Sequence, residues 1–258
     1  MSSSFIQQFI NKLHIHFPLK DMGKLHYFLG IEAKYTSDGS FILSQARYIN
    51  ELLSKINMQN AKSIKTPLAP GTKLQSNSTK PFSDLTRYKS IIGALQYCTI
   101  KRSDVAFVVN NLCQFMHKPL ESHWKAIKRV LRYLNSTIEH GLDFYPSSNL
   151  DINGYYDSDW ASNFSDMTST SGFCLYLGRN LISWMVKKQH VASHSSTEAK
   201  FTSMVTLVVE IQWVKIHLYE LKVPIHKPPL IWCDNQRVVL LTTNPILHSK
   251  SKHFELDL

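Results

Sequence analysis

Apolar positions along this chain change period several times, and each change marks an element. From Phe5 to Phe17 the residues Phe5, Ile6, Phe9, Ile10 and Leu13 fall on one helical face. From Tyr27 the chain is aromatic and aliphatic up to Ser37-Asp38-Gly39-Ser40. Phe41-Ile42-Leu43 follows, and Asp-Gly between two apolar runs predicts a hairpin. Ser44 is then expected to cap a helix with Tyr48, Ile49, Leu52, Leu53 and Ile56 on one side. Between Lys62 and Asp84 the periodicity fades. Pro67, Pro70 and Pro81 lack a backbone donor there, so this stretch is a linker or an extended crossing segment.

Three helices are predicted next. Tyr88 to Thr99 carries Ile91, Ile92, Leu95 and Cys98. Asp104 to Met116 carries Phe107, Val108, Leu112 and Phe115. Glu121 to Leu134 carries Trp124, Ile127, Val130, Leu131 and Leu134. Gly141 to Tyr145 reads as a short strand, and Pro146-Ser147-Ser148-Asn149 as a joint between domains. Beyond it, strands are expected at Gly154–Asp157, Phe173–Leu177 and Leu181–Val186. The second is apolar on both faces, as a covered central strand should be. A long helix from Ser196 to Leu221 has Met204, Leu207, Val208, Ile211, Val214, Leu218 and Leu221 as its apolar stripe. A strand from Pro229 to Cys233 and a helix from Gln236 to about Thr243 complete the series. Three strands, a helix, a strand and a helix make a mixed α/β sheet with helices on its faces.

Three carboxylates stand at the ends of those elements. Asp157, in Asp157-Ser158-Asp159-Trp160, ends the first strand. Glu198, in Ser195-Ser196-Thr197-Glu198, lies in the first turn of the long helix, and Asp234 ends the fourth strand. If the first and fourth strands are neighbours, the acids can converge. Converging carboxylates repel unless a cation lies between them, which points to a hard divalent metal held by oxygen. Each acid also has a purely structural reading. Ser195 and Glu198 have capping-box spacing. Asp234 before Asn235 can cap the next helix. Asp157 and Asp159 can shape a turn.

Charge adds a second feature. The net charge is +10, and residues 1–150 hold nineteen Lys and Arg against nine Asp and Glu, while residues 151–258 hold ten of each. The basicity therefore lies outside the carboxylate block and fits either a nucleic-acid footprint or a solvated surface. Its sharpest cluster is Lys125, Lys128, Arg129 and Arg132 on one predicted helix, candidates for nucleic-acid binding. Cys98, Cys113, Cys174 and Cys233 have no C-x-x-C spacing and are expected to be buried free thiols. No apolar run approaches the ~18 residues of a membrane span, and the N-terminus lacks the pattern of a signal peptide. The expected setting is intracellular, with no membrane partner.

The sequence resembles the Pol polyprotein of copia-type LTR retrotransposons along essentially its whole length. Leu25-His26-Tyr27-Phe28-Leu29-Gly30-Ile31-Glu32 is similar to the family's palm hairpin. Ser44-Gln45, Lys65-Thr66-Pro67 and Gly93-Ala94-Leu95-Gln96-Tyr97 match further signatures. Asp157 to Ala161, Ser195 to Ala199, and Trp232-Cys233-Asp234-Asn235 match its RNase H domain. The resemblance implies an RNase H-like mixed sheet with flanking helices, preceded by a reverse transcriptase palm-end hairpin and a helical thumb/connection region. It divides the chain into the end of the palm and start of the thumb (1–62), a linker (63–83), a helical thumb/connection (84–148) and a C-terminally truncated RNase H-like domain (149–258). It assigns Asp157, Glu198 and Asp234 as catalytic residues holding two Mg2+ ions, with Asp159 structural. The implied reaction is hydrolysis of RNA in an RNA–DNA hybrid, and the implied partners are that hybrid and the remainder of a Pol polyprotein.

Three departures temper this expectation. The Tyr-x-Asp-Asp turn of the polymerase site does not occur, so no polymerase activity is expected. The fourth carboxylate of the RNase H set follows a last strand beyond Leu258, and Glu255 and Asp257 are poor substitutes by position. Ser103 stands where the family usually has Pro. The expected enzyme is accordingly weak or inactive, a fragment of a decayed element or of a gene model. The alternative is a non-catalytic nucleic-acid-binding remnant, and a purely structural domain ranks below both.

Overall fold

A computed structural model describes residues 3–18, 23–72, 74, 80–162 and 166–243. The expected features at 19–22 and 244–258, including Glu255 and Asp257, lie outside the described residues.

Among the described residues the first half holds an antiparallel sheet and five helices. Helix α1 (Ser3–His16) leads to strands β1 (Tyr27–Phe28), β2 (Ile31–Tyr35) and β3 (Phe41–Ser44). The predicted hairpin is the β2–β3 turn. Gly39 takes φ +83° there, and the Asp38 carboxylate accepts hydrogen bonds from the Ser40 amide and from the Ser40 and Thr36 hydroxyls. Those bonds, the Ser40 hydroxyl's first, lower the Asp38 pKa to about 2. Helix α2 (Ala46–Lys55) follows. Its N-cap is Gln45, not the expected Ser44, because Ser44 is committed to strand pairing with Glu32 and Gly141.

Helices α3 (Leu85–Cys98), α4 (Ser103–Cys113) and α5 (Glu121–Ser136) share one core with α2, in which Ile49, Leu53, Ile92, Leu95, Leu112 and Leu131 are all buried. Asp84 caps α3 by accepting from the Arg87 amide at 2.9 Å. Strand β4 (Gly141–Phe144) returns to pair with β3, closing the order β1-β2-β3-β4. A Cβ at Gly141 would lie 2.3 Å from the Leu43 carbonyl oxygen, so only glycine admits this pairing.

Two expectations about faces are corrected. Phe107 is part-exposed on the side of α4 away from its core face, which is Val105, Val108, Val109 and Leu112. On α1, Phe9 is exposed, and the described part of that helix is outside the core cluster.

The second half is a mixed sheet of order β7-β6-β5-β8. Strands β5 (Ile152–Asp159), β6 (Thr170–Leu177) and β7 (Asn180–Lys188) form an antiparallel meander, with the apolar β6 between its neighbours as expected. Helix α6 (Ser196–Glu220) crosses the sheet to β8 (Leu230–Trp232), which pairs parallel to β5, and α7 (Gln236–Thr243) follows. The buried face of α6 is Ala199, Ser203, Leu207, Ile211, Val214 and Leu218; Val208 and Leu221, expected in that stripe, are exposed. At Gly154 a Cβ would lie 2.8 Å from the Leu207 Cδ2, so this glycine lets α6 approach β5 closely.

The halves meet through α4 and β4 against β7. Asn110 donates to the Val186 carbonyl at 2.7 Å, and Asn180 exchanges hydrogen bonds with the Tyr145 backbone. The four thiols are free, but only Cys98 is buried and the other three are half-buried, a correction to the expectation. Among the described residues no helix is long and apolar enough to cross a membrane.

Candidate functional site

Strand register places the two aspartates. Tyr155 of β5 pairs with Trp232 of β8. Asp157 and Asp234 each lie two residues further along, at the same level on neighbouring parallel chains whose spacing is ~4.8 Å. Asp157 lies within β5, which runs on to Asp159 instead of ending at Asp157 as expected, and Asp234 lies just past β8. The expected adjacency of the first and fourth strands is therefore met. Asn235, not Asp234, caps α7: its side-chain oxygen accepts from the Arg237 amide at 2.9 Å and the Val238 amide at 3.4 Å. Asp234 is left to face its neighbours.

What bridges the two acids is Lys200. Its Nζ lies 2.6 Å from Asp234 Oδ1 and 3.0 Å from Asp157 Oδ1. The lysine side chain is 15% exposed, against 67% for Asp157 and 69% for Asp234, so the lysine is the more enclosed member of the trio. Burial pulls the Lys200 pKa down, but the hydrogen bonds to Asp234 and Asp157 outweigh burial and leave it raised. The same bond from Lys200 holds Asp234 below the usual carboxylate range.

Glu198 does not share that cation. Its Oε2 accepts from the His194 amide at 2.7 Å, and its own amide donates to the Ser195 hydroxyl at 3.2 Å. These two bonds fasten the start of α6 much as a capping box does, so the structural reading of Glu198 holds in this conformation. Among the described residues no group of three His, Cys, Asp or Glu side chains is arranged to hold a metal ion. The residues as set do not fit the two-ion cluster that the resemblance implies. One position between two carboxylates is present, and an ammonium holds it.

Three supporting residues had no assigned role in the sequence. Gln189, buried at the end of β7, donates to the Ser171 hydroxyl at 2.8 Å and the Ala199 carbonyl at 2.9 Å, joining the sheet to the first turn of α6. Ser203 donates to the Asp157 carbonyl at 2.9 Å. Trp160 donates from Nε1 to the Ser193 carbonyl at 3.0 Å, tying the Asp-Ser-Asp-Trp segment to the loop before α6. Lys200 carried one usable sequence signal. It lies in the second turn of a helix, near the N-terminal end where the macrodipole disfavours cations, and such a lysine needs acids nearby. Beside Asp157 and Asp159, an open pocket of about 120 Å³ is also lined by Phe107 of α4.

The basic cluster is divided. Lys125 and Lys128 are exposed. Arg129 and Arg132 are half-buried: Arg129 donates to the Thr66 hydroxyl at 2.8 Å and Arg132 to the Lys62 carbonyl at 2.6 Å. With Ser136, which donates to the Ile64 carbonyl, they fasten the crossing segment to α5.

Comparison with known proteins gives a consistent result. Residues 1–70 match the family model for reverse transcriptase (RNA-dependent DNA polymerase). The chain is 44% identical over 248 residues to the retrovirus-related Pol polyprotein from transposon RE1 of Arabidopsis thaliana, covering 96% of this chain and 17% of that protein. Identity to the corresponding polyprotein from transposon RE2 of the same plant is 43%, with the same coverage. The "Uncharacterized mitochondrial protein AtMg00810" of Arabidopsis thaliana is 41% identical over 213 residues, 82% of this chain and 88% of that protein. The chain thus spans about a sixth of the two transposon polyproteins but most of the third relative. No solved structure matches.

Proposed function

Because the chain belongs to the family of copia-type retrotransposon Pol polyproteins, we propose that it is a Pol segment that grips an RNA–DNA hybrid and carries an RNase H-like unit of weak or absent hydrolytic activity. In this reading residues 1–62 are the palm end and thumb start, 63–83 a crossing linker, 84–148 the helical thumb/connection and 149–258 the RNase H-like domain. The observation that carries the reading is the register that sets Asp157, within β5, beside Asp234, just past β8, with Lys200 of α6 between them. Glu198 is the third acid of the set, and its carboxylate would have to leave the His194 amide to join the others. Magnesium is the cofactor the family resemblance assigns. With Lys200 between the aspartates, the site is not set for a pair of ions, which favours binding over cleavage.

Hybrid binding is assigned to charge. The basic first half carries the contacts, with Lys125 and Lys128 as the exposed members of the cluster. Phosphate neutralisation releases counterions, so affinity should fall steeply with salt. The alternative, a remnant that binds nucleic acid without chemistry, makes the same binding prediction. One experiment separates them: a labelled RNA–DNA hybrid is incubated with the protein, with and without magnesium, across a salt series. Salt-sensitive binding with slow magnesium-dependent cleavage supports the nuclease reading. Salt-sensitive binding with no cleavage supports the remnant. Salt-independent affinity, or none, removes both.

A further inference from the structure

Lys200 is placed as a cation site is normally filled. Long lysine side chains usually run outward and leave their charge in water. This one runs from the start of α6 to the two aspartates, and its side chain as a whole is the least exposed of the three. Both contacts use an Oδ1 oxygen, the atoms a shared cation between the acids would need. A small divalent ion binds carboxylate oxygens directly at ~2.0–2.1 Å. An ammonium at 2.6 and 3.0 Å from the same oxygens leaves no room for it between them. The charges point the same way. Asp157, Asp234 and Lys200 together carry one net negative charge, and the two aspartates without the lysine carry two. The next acid, Glu198, is occupied with the His194 amide.

We propose that Lys200 is the resident counter-ion of the Asp157–Asp234 pair, and that a divalent metal binds there only by displacing its ammonium. The proposal rests on reading the two aspartates as potential metal ligands, but it needs no cleavage activity. It makes Lys200 a positioning residue that sets metal affinity. The site alternates between two states: closed on its own lysine, or open to a metal with Lys200 turned to solvent. Apparent metal affinity is then reduced by the small fraction of molecules in the open state. It also gives a reason within the fold for weak hydrolysis, apart from any further ligand.

The test uses the full chain and Mn2+ as the probe, with free Mn2+ followed by electron paramagnetic resonance. Lys200→Met removes the charge and keeps the length. It should bind Mn2+ ~10-fold more tightly than the unaltered chain, or better, because the closed state is lost. Adding Asp234→Asn to it should abolish the gain. Lys200→Gln is the second variant should the first not fold. A readout on the unaltered chain needs no variant: acetylation of Lys200, followed by mass spectrometry, should rise as Mn2+ is added, while that of Lys125 stays constant. Equal Mn2+ affinity with and without the ammonium, or Lys200 labelling that stays flat up to millimolar Mn2+, overturns the proposal. A gain in affinity that survives Asp234→Asn also overturns it. If Lys200→Met binds Mn2+ tightly through the aspartates yet no hybrid is cleaved, the nuclease reading fails and this inference stands. If slow cleavage is found but Lys200 is indifferent to metal, the reverse holds.

Discussion

Two clusters of acid and base, Arg102 with Asp104 in the first half and Lys200 with Asp157 and Asp234 in the second, are built on opposite terms. In the first half Arg102 is the enclosed member, its side chain 1% exposed, and Asp104 is 35% exposed. Its guanidinium grips Asp104 through two parallel bonds of 2.9 and 2.7 Å, and it also donates to the Thr137 carbonyl and hydroxyl. Tyr133 adds a bond to the same carboxylate at 2.7 Å. Here one cation meets one acid, and neutral groups take the remaining hydrogen bonds. In the second half one cation meets two acids, both largely in water. Full satisfaction around a buried charge fixes the corner where α4 begins, whereas surplus negative charge at a solvent edge can exchange one cation for another. The lesson is that an ion cluster's role follows from its charge balance and from which member is enclosed.

The sharpest way to break this contrast is Arg102→Met. It leaves Asp104 and the Thr137 carbonyl without their partner inside the first half, and breaking a buried pair from one side costs ~3–5 kcal/mol. Urea denaturation of the full chain should register that loss, and Arg102→Lys should recover only part of it, since an ammonium cannot make the forked contact. Acid should act on the same cluster. Burial alone would raise the Asp104 pKa, but the bonds from Arg102 lower it on balance below its ordinary value of 3.8. A lowered folded value means that Asp104 adds stability above the unfolded pKa, and that this is lost as pH falls through the folded one. The acid limb of a stability–pH profile should therefore flatten in Arg102→Met. An unchanged limb would mean that other carboxylates control acid unfolding.

Gly154→Ala tests the other side of the contrast through packing. The new Cβ would press on Leu207 at 2.8 Å, and overpacking of this kind costs ~1–3 kcal/mol. Since α6 carries Lys200, the ammonium should also lose register with the aspartates. A melt should show the destabilisation. An alanine variant as stable as the parent would mean that Leu207 can yield without moving the helix.

The sequence made these two clusters visible to different degrees. Arg102 and Asp104 are two residues apart, but Thr137 comes from 35 residues further on, at the end of α5. Helical and strand periods located α3 through α7 because one face of each is buried, and the bounds of α7 agree at both ends. Periodicity could not assign the face of α4, where Val105, Ala106, Phe107, Val108 and Val109 are apolar in succession. Phe107 lines the pocket beside Asp157 together with residues of the second sheet. The β3–β4 pairing and the β5–β8 register join residues far apart in the chain, so no local pattern contains them. The three acids were readable as types at element ends. That a lysine one residue past the Ser195-to-Ala199 motif would hold two of them was not, because it depends on that register.

The basic helix offers a smaller separation of roles. Lys125→Ala with Lys128→Ala removes exposed charge only. Hybrid affinity should drop, and the slope of log affinity against log salt should decrease by ~2, about one per phosphate contact. Melting should barely move. Arg129→Ala and Arg132→Ala should instead loosen the segment at residues 62–66, where those side chains donate, and so appear in limited proteolysis before they appear in binding. Equal effects of all four on the salt slope would restore the undivided stripe.

The smallest expected change is the most informative one. Lys200→Met removes two ion pairs of 2.6 and 3.0 Å, comparable to the 2.7 and 2.9 Å bonds between Arg102 and Asp104, yet both acids are mostly exposed. Pairs with exposed partners contribute ~0–1 kcal/mol, and the methionine keeps the apolar length of the side chain against α6. The folding free energy, from the same urea series as Arg102→Met, should move by less than ~1 kcal/mol. The loss stays small because two exposed carboxylates can relax apart once the ammonium is gone. A loss as large as that of Arg102→Met would make Lys200 a structural pillar, and the two clusters would then be one kind of device. A near-silent melt, set beside a large change in Mn2+ affinity, would establish that one ion cluster stabilises the fold while the other is a site with its own cation in place.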